Sequence, residues 1–488
     1  MTVGRFEVPP VPDSLRAYAW RIALPIGCVL LSAEVGRSVG SPWLLRLSLA
    51  AALLAVIVAI ATTAPRPLLL GVIVWVALLG LTRRWLTGLT APGGMDPLLV
   101  VGPASLVILG TVSVRAALAR RDSALSRAVL VLTVLIFLGA FNPQQGNLAA
   151  GLTGLLFFAQ LLAFWIGRGI CDDRTLRRVL LLVAGLALPT CAYGMYQVFS
   201  GFPSWDRAWI NTVGFNSLDV GGAIRPFSTF SSAAEYATFL AAAALIWLTL
   251  GPKRLLTPVT VAAIGFIVTG VVYQSSRGTI VMLVISAGLV AGAWRRLPLV
   301  AAVGLGVLFL FVLPRIVGHV APSSYGSSPS AALLSHQVQG LANPLDPSKS
   351  TAAIHLSLAV DGIKAGFKNP LGLGIGTITL AAKKFGGIAA SSETDPSNAA
   401  IALGLPGLAA FLAVLGIGFA RTYRLATKRR DGLSLAALAI ITVTVLQWLN
   451  GGQYSVAFLP WLLLGWVDAS AVDRKAARAA ERAREAAP

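Results

Sequence analysis

Charge is scarce in this chain. Of 488 residues only 19 are Asp or Glu, and charged residues of both signs make up 12%. Soluble domains carry about 25%, so an ordinary soluble globular protein is excluded. Disorder is excluded too, because 56% of the residues are hydrophobic and a disordered chain lacks apolar side chains to bury. Cysteine is nearly missing. Cys28, Cys171 and Cys191 form neither a disulfide framework nor a metal-binding spacing. No Walker motif and no convincing nucleotide fingerprint occurs, so a cytoplasmic energy-coupling domain is not expected. Internal repeats are not evident. The period-two alternation of an outer-membrane barrel is lacking as well.

What is present is apolar sequence in long runs. Stretches of about 18 or more residues, each long enough to cross a bilayer as a helix, recur from end to end. They predict an all-α protein, a polytopic integral membrane helical bundle of about 12–14 transmembrane helices. The spans lie near 18–37, 43–63, 67–86, 97–114, 127–142, 147–167, 179–199, 233–250, 256–273, 278–294, 297–314, 398–420, 433–449 and 453–471. Between the second and third, Ala64-Pro65-Arg66-Pro67 ends or kinks a helix. The first stretch starts among Arg16 and Arg21 and contains Glu34, so it reads as a retained helix rather than a cleaved signal peptide.

The formal net charge of +20 invites a nucleic-acid reading, but in membrane proteins Lys and Arg collect in cytoplasmic loops. With the N-terminus cytoplasmic, 26 Lys and Arg fall inside and 13 outside, which orients the chain with both termini in the cytoplasm. Arg83 and Arg84 go against this pattern. The basic, alanine-rich tail 473–488 predicts a helix at the anionic inner leaflet. The organisation that follows is N-terminal helices over 1–178, a core over 179–420, two further helices over 421–472, and the tail.

Two outer segments are long, about 200–232 and 315–397. Structureless loops beyond about 15 residues are commonly functional or disordered. Pro322–Pro329 is rich in Ser, Pro and Gly. Residues 351–367 predict an amphipathic helix at the membrane surface, with Ile354, Leu358, Ile363 and Phe367 on one face. Arg277 sits in the hairpin Ser275-Ser276-Arg277-Gly278 between two spans, where an ionisable group is functional by default. Arg225 precedes the eighth span on the same side, and two guanidiniums facing one cavity suit a diphosphate. The base is open. His319, His336 and His355 all lie in the second outer segment, with His355 favoured for its place on the amphipathic stretch. Glu393 and Asp395 are alternatives, although Asp395 or Ser397 also suits a helix cap. Glu34 and Glu235 are embedded and suit structural hydrogen bonds. The turn Asn369-Pro370-Leu371-Gly372-Leu373-Gly374-Ile375-Gly376 implies a close backbone approach, to a ligand or to a helix.

Several of these segments together resemble the O-antigen ligase and O-antigen polymerase superfamily of bacterial membrane glycosyltransferases. The resemblance runs from about 180 to 420. It rests on Tyr193-Gly194-Met195-Tyr196-Gln197, on Arg225-Pro226-Phe227-Ser228-Thr229-Phe230 with Ser228 where Gly is usual, on Ser275-Ser276-Arg277-Gly278, on the glycine turn, and on Ser397-Asn398 followed by Gly404-Leu405-Pro406-Gly407. It implies transfer of a glycan from a polyprenyl-diphosphate carrier to an acceptor on the outer face of the cytoplasmic membrane, with inversion and without metal or cofactor. Arg225 and Arg277 would hold the diphosphate, with Gln197, Ser276, Lys349, Gly372, Gly374, Ser397 and Asn398 as further ligand-binding candidates. Implied partners are the lipid-linked donor, a glycan or lipid-linked acceptor, membrane lipids, and chain-length regulator and flippase proteins, with no nucleic acid. In the ligase branch a His precedes Asn at the end of the long loop, and here Ser397 takes that place. That departure favours a polysaccharide polymerase over a ligase acting on lipopolysaccharide core. A flippase or transporter is the rival from another class, and predicts broken or charged helices at the midplane and repeated halves.

Overall fold

The computed structural model describes residues 42–86, 96–213, 219–220, 222–251, 257–320, 327–344, 346, 348–392, 394–445, 447–449 and 454–485. The expected first span with Cys28 and Glu34, Glu393, and residues 322–326 of the Ser/Pro/Gly-rich stretch lie outside them. The described chain is a bundle of helices with one two-stranded hairpin. In order, the first helices are α1 (Pro42–Ala61), α2 (Pro65–Trp85), α3 (Leu98–Ala119), α4 (Ala124–Gly139), α5 (Leu148–Phe158), α6 (Ala163–Ile170), α7 (Asp173–Phe199) and α8 (Ser204–Val213). The antiparallel strands β1 (Asp219–Val220) and β2 (Ala223–Ile224) follow. Then come α9 (Ala233–Leu250), α10 (Pro258–Gln274), α11 (Arg277–Trp294), α12 (Leu299–Val320), α13 (Pro329–Ala342), α14 (Ala352–Lys368), α15 (Leu380–Phe385), α16 (Asp395–Arg429), α17 (Gly432–Val443) and α18 (Tyr454–Glu485).

Among the described residues ten helices are long and apolar enough to cross a membrane, and α4, α10 and α17 are shorter apolar helices. The thirteen correspond one by one to the described spans expected from hydropathy, with α5 and α6 joined through a 3-10 turn into one. Pro65 begins α2 after the turn at Thr62, so the proline pair separates two helices.

Helices α9, α17 and the first half of α18 are buried along nearly their whole length and make the centre. Small residues bring backbones together there. A Cβ on Gly167 of α6 would stand 2.0 Å from the Leu462 carbonyl oxygen, and one on Gly465 of α18 would stand 2.0 Å from that of Phe164. Such small-residue contacts favour helix association in lipid, where burial alone gives little drive. The outer helices leave large apolar side chains exposed, among them Phe137, Leu181, Val307 and Phe311, as lipid-facing surfaces require.

The two ends of the bundle differ. At one, buried Asp468 accepts from Ser123 Oγ (2.6 Å) and pairs with Arg168 (3.1 Å) and Arg421, while Arg429 pairs with Asp173 (2.5 Å). The described basic residues Arg120, Arg121, Arg168, Arg174, Arg295, Arg296, Arg421 and Arg429 gather here. At the other end lie Arg83, Arg84, Arg225 and Arg277, and α11 runs from one end to the other. Arg83 and Arg84 do not reach for headgroups. Arg83 shares Asp96 with Arg46 (2.7 and 2.5 Å), and Arg84 pairs with Asp206 (2.7 Å) with neither side chain exposed.

Helix α16 is broken at Gly404, where φ is 64° and ψ is −156°. The glycine turn fills the break. Leu373 N donates to Ile401 O (2.8 Å), Gly374 N to Ala402 O (2.9 Å), and Leu405 N to Pro370 O (3.0 Å). A Cβ on Gly404 would lie 2.0 Å from the Pro370 oxygen, so only glycine fits both the backbone angle and the space. Of the two roles open to this turn, ligand cradle or helix packing, the contacts made are helix packing. Irregular backbone within a bundle is tolerated where protein satisfies its polar groups in this way.

Candidate active site

Arg225 follows directly on the β1–β2 hairpin and opens the loop Pro226–Phe230, which is buried throughout. That loop is tied down from two helices, α7 and α2, whose side chains are braced by a third, α8. Gln197 Oε1 on α7 accepts from Phe227 N (3.1 Å) and Ser228 N (2.7 Å), and its Nε2 donates to Asp206 Oδ2 (2.7 Å). Arg84 on α2 donates to the Ser228 and Phe230 carbonyls and stacks over the Phe227 ring at 4.7 Å. Asp206 on α8, besides its pair with Arg84, accepts from Tyr193 Oη at 2.7 Å. Ser228 holds a left-handed φ of 50°, a conformation that favours glycine. This is the position where the resembled motif usually has Gly. The serine hydroxyl donates to Thr190 O, which helps to hold the turn.

Arg277 is the first residue of α11, with Ser276 as its N-cap. A cation at a helix N-terminus opposes the helix dipole, so its presence there is not a local preference of the helix. Its guanidinium meets α13, a helix of the long segment over 315–397. Arg277 Nη2 donates to His336 Nε2, and His336 Nδ1 lies 2.8 Å from Ser275 Oγ. Arginine has no acceptor, so Nε2 is the acceptor and the proton sits on Nδ1. Ser275 Oγ in turn donates to Leu333 O at 3.1 Å. Ser275, at a left-handed φ of 63°, thus turns the chain into α11 and orients the imidazole.

Arg225 stands close enough to Arg277 for the second positive charge to act on it. Burial first, and then Arg277, lower the pKa of Arg225. Burial and the two guanidiniums also push the His336 pKa down to about 4. The imidazole is therefore neutral at pH 7. The Nε atoms of both arginines are buried without a partner, and no carboxylate neutralises either side chain among the described residues. Two uncompensated cations in one half-buried place can hold an anion, and the neutral imidazole beside them can accept a proton once Arg277 releases it.

Gly340 makes the space. It lies one turn after His336 on α13, and a Cβ there would stand 2.0 Å from Arg277 Nε and 2.1 Å from its Cζ. The contacting group is the end of a flexible side chain, so Gly340→Ala will fold and displace the guanidinium. Binding of inorganic diphosphate, followed by titration, is expected to weaken about tenfold, with an unchanged melting temperature. Equal binding would detach Gly340 from the site.

The structure brings together Arg225, Arg277 and His336, with Ser276 at the turn, where its hydroxyl bonds Thr279 Oγ1 at 2.9 Å. It does not gather the other candidates. Gln197 is buried with both ends of its amide engaged inside the protein. His355 is exposed near the start of α14, which packs on α16 through Gly362 and Gly366 and leaves Ile354, Leu358 and Phe367 exposed. Asp395 is buried and accepts from the Trp448 and Leu449 N–H groups. It thereby holds the segment that follows α17 and does not cap its own helix. Glu235 does similar work, accepting from Ser455 N and Oγ at 2.9 Å each. Ser397 Oγ donates to Thr394 O (2.7 Å), and Asn398 closes the loop through Ser392 N (2.7 Å) and O (3.0 Å). Lys349 pairs with Asp346 at 3.7 Å in the turn before α14. Gly372 and Gly374 hold the α16 break.

Sequence reasoning passed over His336 in favour of His355. A usable signal was present, since Leu333, His336, Gln337 and Gly340 recur at helical spacing and put the imidazole and a glycine gap on one face. Comparison with known protein families and with curated protein sequences gave no match.

Proposed function

We propose that this chain is a membrane glycosyltransferase that takes a glycan from a polyprenyl-diphosphate carrier and joins it to an acceptor hydroxyl, lengthening a surface polysaccharide. The observation that carries this reading is the pair of half-buried, unneutralised guanidiniums of Arg225 and Arg277 beside a neutral His336. The gathering of basic residues at the opposite end supports a position of this end outside the cytoplasm, and the resemblance to the O-antigen enzymes supports a bacterial cytoplasmic membrane.

The chemistry follows from the groups present. The bond from the anomeric carbon to the diphosphate oxygen breaks, and the bond to the acceptor oxygen forms on the opposite face, which inverts the centre. Negative charge grows on the leaving diphosphate, and preorganised cations stabilise it best where water is scarce. As Arg277 turns to the diphosphate, Nε2 of His336 loses its donor and becomes free to take the acceptor proton. Bound diphosphate also offsets the two cations that, after burial, lower the basicity of the imidazole, which makes it a stronger base when the substrate is in place.

The test is reconstitution in lipid with a polyprenyl-diphosphate-linked oligosaccharide, with products resolved on a gel. A ladder is the expected result. No transfer with any added acceptor would sink the reading. The acid limb of kcat/KM reports the free enzyme. It should fall near pH 4, where His336 gains a proton, and rate should be retained between pH 6 and 8. In His336→Gln the rate should drop about 10²–10⁴-fold and this limb should vanish. A limb that survives there belongs to another group.

The break at Gly404 favours a second reading, since transporters use broken helices around a central site. Here, however, the Ile401 and Ala402 carbonyls are occupied by Leu373 and Gly374 N–H and line no path. Movement of the same lipid between leaflets, measured without transfer, would restore the transporter.

A further inference from the structure

At the end of the bundle opposite the arginine pair, a cavity of about 750 Å³ opens between the α11–α12 turn and the second half of α16. Leu297, Pro298, Leu299 and Ala420 give it an apolar floor, and Arg296, Arg424 and Lys428 stand on its rim. The rim cations come from two stretches more than a hundred residues apart. Arg424 and Lys428 are one helical turn apart on α16, and Arg296 is presented by a turn in which it holds a left-handed φ of 59°. The turn is fixed to α16, because Tyr423 Oη donates to Leu297 O at 2.7 Å.

The contrast with neighbouring cations is informative. On the same helix end, Arg421 is neutralised by Asp468, and Arg429 by Asp173 and Asp431. Arg296, Arg424 and Lys428 are exposed, and none has a carboxylate partner among the described residues. Three unneutralised cations over an apolar floor, at the end of membrane-spanning helices, match a phosphate carrying acyl chains. Basic pockets between transmembrane helices hold anionic lipid headgroups by this combination.

We infer that this cavity binds the phosphate headgroup of an anionic membrane phospholipid, with Arg296, Arg424 and Lys428 on the phosphate and the glycerol end against Leu297–Leu299. The site is separate from the proposed transfer centre, and its test needs no transferase activity.

The full-length protein, stripped of lipid in detergent, would be titrated with phosphatidylglycerol, phosphatidylcholine or inorganic phosphate while its unfolding temperature is recorded. Bound lipid phosphorus would be measured after gel filtration. Phosphatidylglycerol is expected to raise the unfolding temperature, with half-saturation at least about tenfold weaker in Arg296→Gln/Arg424→Gln/Lys428→Gln. The control Arg174→Gln/Arg177→Gln/Arg178→Gln removes the same charge from exposed positions of α7 and should titrate as wild type. Equal loss in the control would overturn the site, leaving only diffuse attraction. Equal protection by phosphatidylcholine would reduce it to apolar contact, and equal protection by inorganic phosphate would make it a free-anion site. Should the triple variant not fold, Lys428→Gln alone, at an exposed position, is expected to weaken half-saturation about threefold, and no change there would equally count against the proposal.

Discussion

Arg277→Ala will lower glycan transfer by about 10²–10³-fold, the range found when one preorganised donor to a developing anion is removed. The variant leaves His336 Nε2 without its donor and Arg225 as the lone cation on the diphosphate. Arg277→Lys should recover part of the loss, because it restores the charge but not the planar fork that engages two phosphate oxygens. Removing the mutual repulsion also raises the Arg225 pKa, so the remaining cation stays fully charged and residual activity is expected rather than none. Single-turnover rates in reconstituted vesicles separate this from folding, since a half-buried side chain without an ion pair should leave the unfolding temperature nearly unchanged. Full activity in Arg277→Ala would remove this residue from the reaction.

Asp206→Ala will destabilise the protein by about 3–5 kcal/mol, the scale for stripping one partner from a buried ion pair. Neither Arg84 nor Asp206 has exposed side-chain surface. The substitution leaves a buried guanidinium without its counter-charge and orphans the Tyr193 hydroxyl and the Gln197 amide, which both donate to Asp206 Oδ2 at 2.7 Å. Because Arg84 and Gln197 hold the loop from Phe227 to Phe230, Arg225 loses its support at the same time. Asp206→Asn keeps an acceptor and should cost less. Replacing both partners at once by apolar residues, as in Arg84→Met/Asp206→Leu, should be milder than Asp206→Ala. Unfolding temperature in detergent with yield of folded protein checks this order. A double variant worse than the single would mean that the charges themselves organise the loop.

The helices were legible in the sequence because each apolar run must satisfy its own backbone, and length with composition suffices to find it. Short range explains Arg277 as well. A charged residue between two apolar runs stands out wherever the chain goes. His336 did not stand out. Its meaning depends on which helix of the long segment over 315–397 docks over Arg277, and the choice between His336 and His355 is made by packing some 60 residues away in sequence. The amphipathic periodicity around His355 predicts a helix, and one is found over Ala352–Lys368. Its contact is set by Gly362 and Gly366, however, so its polar side chains stay outside. Asp395 and Gln197 show the complementary difficulty. A buried polar side chain near motif residues looks chemical until its partners are seen, and theirs are the backbone groups of the segment after α17 and of the Arg225 loop.

The sequence by itself determined a polytopic all-α chain, the asymmetry of its basic residues and the two arginines at one end, because hydropathy and charge act residue by residue. Tertiary structure alone decided that Arg83 and Arg84 are ion-paired, that the glycine turn plugs α16, and that His336 faces the arginine pair. Each of these depends on contacts between segments far apart in the chain, and such contacts are set by which small residues let helices approach and which buried polar groups then need partners.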